Sequence, residues 1–371
     1  MKQHLFYISL ALLLSACGEN SSPPQNIPAT PSQPIIEGAP VADTLRPKVE
    51  GSCDGNTTIS LYVDDQPVTP AVGCDNGVYA IVPDAELTHA NHCFSTEATN
   101  ADGVNSERSE RTCAFTGRPF TTVWKTDNGG VTQGNQIRIT PVTNAYAYNY
   151  SVEWGDGTED MNLADKAIHT YPAPGVYTVK INGIFPQFDV AIDDSDFGGD
   201  YIILTLSDRR KLIAVSQWGS MPWKSMEYAF AMCVNVDFNA TDIPDLSNVA
   251  SMRGMFEDSH SVPQNIGEWN TSNVQNMEEA FAHFYADDVT FDIDISGWDV
   301  SKTDNMKFMF FGTGLTTVNY DKLLNSWSRQ SVQRSVFFYA GGSKFSSSAV
   351  AARTALEADY NWTINDGGMA P

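Results

Sequence analysis

Carboxylates, histidines and cysteines are the side chains of this sequence with most scope for chemistry. Asp292 and Asp294 stand two apart, flanked by Phe291, Ile293 and Ile295. Paired acids of that kind flank the scissile bond in glycosidases. On one strand, however, they would lie about 6.6–7 Å apart at Cα and face solvent together, so a charged sheet face is the simpler reading. Asp193, Asp194 and Asp196 crowd an acidic loop followed by Phe197-Gly198-Gly199-Asp200. Several oxygens of that kind suit a hard cation, which makes the three aspartates calcium candidates, although a solvated turn between domains is the preferred reading. His89, His92 and Cys93 lie close together but lack a second ligand pair at zinc spacing. Asp156 and Asp160 lack the regular ladder of a calcium loop, and His169 has no serine or cysteine nucleophile motif to serve. No catalytic residues, cofactor or metal site are therefore assigned.

Cys53, Cys74, Cys93 and Cys113 fall within one stretch of alternating strands, and in an exported chain an even number of cysteines favours disulfides. Sequential pairing would close two loops of about twenty residues, each stabilising by about 3 kcal/mol; the other pairings remain open.

The 371 residues carry 45 acidic and 22 basic side chains, a net charge of −23. Such a surface repels phosphate backbones and argues against nucleic acid as a partner. Residues 1–16 have a basic start, an apolar run too short to span a membrane and small residues at the end, as a secretory signal does. Leu14-Ser15-Ala16-Cys17 resembles the lipobox of bacterial lipoproteins, which implies cleavage before Cys17, lipidation of its thiol and anchoring to a membrane. Gly18 resembles the outer-membrane sorting pattern of such proteins. Residues 17–40, rich in Ser, Pro, Asn and Gln, are expected as a disordered tether.

Residues 41–118 alternate with period two between turn residues, the pattern of an antiparallel sandwich, and resemble bacterial immunoglobulin-like modules. In residues 119–191, Trp154, Gly155, Asp156, Gly157 and Thr158, then His169, Tyr171, Gly175, Tyr177 and Val179, resemble the two marks of polycystic-kidney-disease (PKD) domains. That resemblance implies a second small β-sandwich, used as a spacer or interaction module outside the cell.

Residues 192–318 hold an internal repeat. A Met-x-x-x-Phe box begins at Met226, Met252, Met277 and Met306, at intervals of 26, 25 and 29 residues, and Trp218, Trp269 and Trp298 each stand eight residues before a box. Units of this period bury their apolar faces only by stacking. Four-residue spacing places Met and Phe on one face of a helical turn, and Ala229, Met255, Ala280 and Met309 widen it. The expected architecture is thus an α/β solenoid following two all-β sandwiches. The units resemble the leucine-rich-repeat surface proteins of the BspA type, although the unit ending at Met252 is two residues short and lacks its Trp. Residues 319–371 resemble that family's C-terminal cap, and about 250 of the 371 residues are covered.

The resemblance implies adhesion, or binding of an extracellular protein or glycan, by a lipid-anchored cell-surface protein that is not an enzyme. A surface glycan-processing enzyme, or a component of polysaccharide utilisation, is the alternative. Trp269, Trp298, Asp292 and Asp294 are the candidate binding surface, with packing between units as the competing role of both tryptophans. Specificity is expected on the residues between the boxes.

Overall fold

A computed structural model describes residues 26–37, 41–42, 44–88, 90–142, 145–188, 207–284 and 289–371. The signal segment, Cys17, His89, the 193–196 acidic loop and the strand expected at 201–206 lie outside these residues.

The first unit is a sandwich. Strands Ile35–Ile36, Val49–Ser52 and Val78–Ile81 form one sheet, and Val41–Ala42, Thr112–Thr116, Asn91–Thr99, Thr58–Val63 and Gln66–Gly73, in that spatial order, form the other. Ile36, Val49, Tyr79 and Ile81 of the first sheet meet Ile59, Leu61, Val63 and Phe94 of the second in one core. Cys53 is joined to Cys74 and Cys93 to Cys113, which settles the pairing as sequential. The end of the expected tether belongs to this fold: Ile35 and Ile36 pair with Glu50 and Val49, and Pro31 and Pro34 are buried. Its prolines leave few backbone donors unmet, so docking needs only short pairing.

The second unit is also β-rich. Asn149–Glu153, Glu159–Leu163, Phe120–Lys125 and Val176–Ile184 lie in a six-stranded sheet, faced by the pair Gln136–Ile139 and Ala167–Thr170. That sheet does not stop at the expected boundary of 191. Leu212–Gln217 pairs antiparallel with Phe120–Lys125, and Asp237–Phe238 pairs parallel with Leu212–Gln217. One hydrophobic core consequently runs without a break from Phe120 to Ile364. Buried Asp208 fastens the junction, accepting hydrogen bonds from Thr132 N (3.1 Å), Thr132 Oγ1 (2.6 Å) and Arg138 N (3.0 Å). Buried Lys211 donates to the carbonyls of Thr132, Gln133 and Gln136 at 2.8–3.1 Å.

The repeat region overturns the expected α/β solenoid. Strand makes up 31% of the structure and helix 9%, and among the described residues both α-helices, α1 (Thr317–Trp327) and α2 (Val350–Tyr360), belong to the closing segment. Each Met-x-x-x-Phe box is instead a run of turns. Its third residue is left-handed: φ is 53° at Tyr228, 57° at Gly254, 60° at Glu279 and 54° at Phe308, and one such residue suffices to break a helix. Alternate N–H groups donate to the next box rather than along their own. Tyr228 N bonds Arg253 O (2.8 Å), Phe230 N bonds Met255 O (2.9 Å), Phe256 N bonds Ala280 O (2.9 Å) and Phe281 N bonds Met309 O (2.9 Å). The intervening N–H groups close turns within each box, as Ala229 N does to Met226 O and Met255 N to Met252 O. Nearly every donor is met, half of them only by a neighbouring unit.

The Met and Phe side chains are buried as expected, but in columns of a ladder. Phe230, Phe256, Phe281 and Phe310 stack with centroids 6.0, 5.8 and 5.2 Å apart and planes within 15° of parallel. Cys233 is buried beside this column. At the C-terminal end, Phe338 bridges to Met306, and Trp327 and Trp362 cover it at 5.6 and 6.1 Å. Replacing Phe281 by Ala should cost about 3–5 kcal/mol, since the ring has a neighbour on each side and the stack cannot close over the cavity. Denaturant unfolding that showed less than about 1 kcal/mol for Phe281→Ala would contradict the ladder as the main source of stability in this region.

Candidate functional site

Several residues with chemical potential prove to be structural. In the PKD-like unit, Asp156 receives hydrogen bonds from Thr158 N (3.0 Å) and Thr158 Oγ1 (2.6 Å) and lies 2.9 Å from His169 Nε2. Burial works to raise the Asp156 carboxyl, but the bonds from Thr158 and His169 outweigh it and draw the group down to about 2. His169 stacks on Trp154 at 4.8 Å, and Asp160 accepts from Trp154 Nε1 at 2.9 Å. Gly155 has φ 84°, and a Cβ there would collide with the Thr178 backbone. These contacts make a turn. His92 is held by Asp64 (2.6 Å), and Cys93 is spent in a disulfide and offers no thiolate to a metal. Among the described residues no group of three or more His, Cys, Asp or Glu is arranged to hold a metal ion.

The candidate surface of tryptophans and aspartates divides. Trp269 and Trp298 are 2% and 0% exposed, so they pack between units and do not form a binding surface. Trp298 Nε1 donates to Ile266 O (2.8 Å), and Trp269 meets Trp218 edge-on at 5.3 Å. Asp292 and Asp294 are exposed as expected, but engage the closing segment. Asp292 accepts from Asn319 Nδ2 (2.9 Å), and Asp294 pairs with Lys322 (2.8 Å).

The outward chemistry of the ladder lies within the boxes rather than between them. The residue after each Met gives the row Glu227, Arg253, Glu278, Lys307, and the next gives Tyr228, Gly254, Glu279, Phe308. Toward the N-terminal side this face is charged. Arg253 lies over the Tyr228 ring at 5.4 Å and approaches Glu278 at 3.6 Å and Glu279 at 3.4 Å, while Ser251 Oγ donates to Glu227 at 2.6 Å. Toward the C-terminal side it is aromatic. Phe308 and Phe284, 40% and 41% exposed, flank Phe311 at 5.8 and 5.0 Å, and Tyr339 lies 5.8 Å from both Phe308 and Phe311. Sequence reasoning missed this face because it assigned the box a helix. The signal was present in the type of its second and third residues, which change from unit to unit while Met and Phe do not.

Glu257 stands at the inner edge of the charged half and is only 8% exposed. Burial, with the nearby charges of Glu279 and Asp258, pushes its carboxyl up to about 7, against the opposing pull of Arg209 and Arg253. A Cβ placed on Gly254 would run into the Tyr228 ring and come within 3.1 Å of Glu257 Oε2, so ring and carboxylate converge on the same spot.

Residues 224–351 match the pattern of a family described as "Mycoplasma protein of unknown function, DUF285". The match spans the ladder and the start of the closing segment. No curated protein matches the chain.

The Glu257 environment predicts a pH dependence with a definite sign. An unfolded glutamate releases its proton near 4.5, whereas the folded protein retains it to about 7. The folded state therefore binds more protons in that window, and the stabilisation, complete below about 4.5, is lost as pH rises through about 7. Glu257→Gln should flatten this part of the stability–pH curve and raise stability at pH 8. An unchanged curve would show that the carboxyl is not buried in this way.

Proposed function

We propose that the chain is a lipid-anchored cell-surface protein that binds an extracellular protein or other ligand through the outer face of its turn ladder. Its two β-rich units would serve as a stalk. The export signal and the lipobox-like Leu14-Ser15-Ala16-Cys17 support a membrane anchor at Cys17, and Gly18 favours an outer-membrane location facing the exterior. The resemblance of the units to BspA-type surface proteins supports adhesion, and the net charge of −23 speaks against nucleic acid as a partner. On this reading the protein binds and does not catalyse.

The observation that carries the proposal is Phe308. Its φ of 54° places a bulky side chain in the left-handed region, a strain of about 1–3 kcal/mol, where Gly254 sits at ease in the second unit. The ring at this strained position is 40% exposed and in contact with Phe311 and Tyr339, and Phe311 in turn meets Phe284, which is 41% exposed. Strained backbone that sets an aromatic ring in water is better explained by recognition than by packing, because aromatic anchors dominate binding surfaces.

Two measurements test this. In cells fed labelled palmitate, the parent should take up label and Cys17→Ser should not; label retained by Cys17→Ser would remove the anchor. Phe308→Gly should leave stability within about 1 kcal/mol of the parent, since glycine relieves the backbone strain. It should nevertheless weaken adhesion of cells displaying the full chain about 30-fold, as expected for an interface anchor. Adhesion unchanged in Phe308→Gly would defeat the assignment of this face.

A further inference from the structure

The charge of the outer face narrows the class of partner. Glu227, Glu257, Glu278 and Glu279 converge on the boxes of the first three units, with Arg253 as the basic side chain reaching toward two of them. Arg253 does not close the cluster. Its contacts to Glu278 and Glu279, at 3.6 and 3.4 Å, are longer than the roughly 2.7–2.9 Å of a well-formed charge-assisted hydrogen bond, and the Tyr228 hydroxyl reaches Glu279 only at 3.5 Å. Glu257 is the independent observation. More than nine-tenths of this residue is buried, yet its carboxylate has no hydrogen-bond donor and no cation within 4 Å among the described residues. It faces the Tyr228 ring over Gly254, the residue that precedes Glu279 in the third row of the ladder. A largely buried acid without a donor is costly, and such groups gather at sites where a ligand supplies the missing partner.

The aromatic half continues from this cluster without a gap. Glu279 N donates to Lys307 O at 3.0 Å, so Phe308 occupies the next rung after Glu279, and Tyr339 and Phe311 lie beside it. A ligand lying along the ladder would therefore meet carboxylates first and an apolar aromatic patch second.

We propose that the outer face binds a basic polypeptide segment. An Arg or Lys side chain would take its place between Glu257 and Glu279, and a neighbouring apolar side chain would rest on Phe284, Phe308, Phe311 and Tyr339. Charge complementarity selects this occupant. An acidic or phosphorylated segment would meet four glutamates, and a neutral glycan would use the rings but bring no positive charge to the glutamates. The inference rests on the reading of this face as a binding surface and adds the chemistry of what it binds.

Cells displaying the full chain can be titrated with three fluorescent peptides of equal length, alternating Arg with Leu, Gln with Leu, or Glu with Leu, and with a neutral oligosaccharide. The Arg–Leu peptide should bind at least tenfold more tightly than the others, weaken as salt is raised, and weaken about tenfold or more in both E257Q and E279Q. E257Q should meanwhile melt at or above the parent temperature at pH 8, a combination that a purely structural role for Glu257 would not give. Equal binding of the Gln–Leu peptide or the oligosaccharide, still dependent on Phe308, would overturn the basic partner and leave the binding face intact. Binding of the Arg–Leu peptide that ignored E257Q and E279Q would also overturn it, as would failure of that peptide to bind.

Discussion

The structure of the repeat region depends on where its backbone N–H groups find acceptors. In a helix the answer lies four residues back, and each segment is self-sufficient once nucleated. Here a left-handed residue in each box turns alternate donors sideways, and the carbonyls that receive them belong to the next unit. No unit can satisfy its own backbone, just as none can cover its own Phe. The hydrogen bonds and the Phe230–Phe256–Phe281–Phe310 column thus demand the same neighbour in the same register. A slip by one unit would lose both at once.

This mutual demand explains how the ends are closed. At the N-terminal end the first box donates to the second, and the chain leading into it is secured by Leu212–Gln217 joining the sheet of the PKD-like unit. The hydrogen bonds of Asp208 and Lys211 into residues 132–138 hold that junction, and burying both charges is tolerable because they pair with each other at 3.7 Å and are further hydrogen-bonded to backbone and hydroxyl groups. At the C-terminal end α1 and α2 bring Trp327 and Trp362 over Phe338. The β-rich unit and the closing segment therefore act as the two caps of one core.

How much of this could be read from the sequence varies with the physics of each feature. Strand alternation, the exchange from apolar to turn residues and the cysteine spacing were legible because each is local, and the structure places sandwich strands and sequential disulfides where they point. The burial of Met and Phe was legible from recurrence alone. Their conformation was not, because a four-residue apolar spacing satisfies a helical turn and a pair of stacked tight turns equally. Left-handed backbone at Tyr228, Glu279 and Phe308 gave no warning, for only Gly254 is of the type that normally marks it. Asking what glycine does at the third place of one box would have raised the possibility for the others. The role of Trp269 and Trp298 was open between surface and core, and the position of both against the buried side of the stack decides it.

The same accounting separates what is fixed from what is free to vary. Positions whose side chains enter the column must remain large and apolar, and positions whose carbonyls face the next unit are constrained only in backbone. The second and third places of each box carry neither duty, since their side chains leave the stack. What occupies them is Glu-Tyr, Arg-Gly, Glu-Glu and Lys-Phe in successive units. Stability alone would favour glycine at every third place, as the left-handed φ requires, but three of the four units accept strain to hold Tyr228, Glu279 and Phe308 there. The ladder thus behaves as a rigid frame that presents a line of chosen side chains at fixed spacing, and preorganisation of that kind reduces the ordering cost of binding.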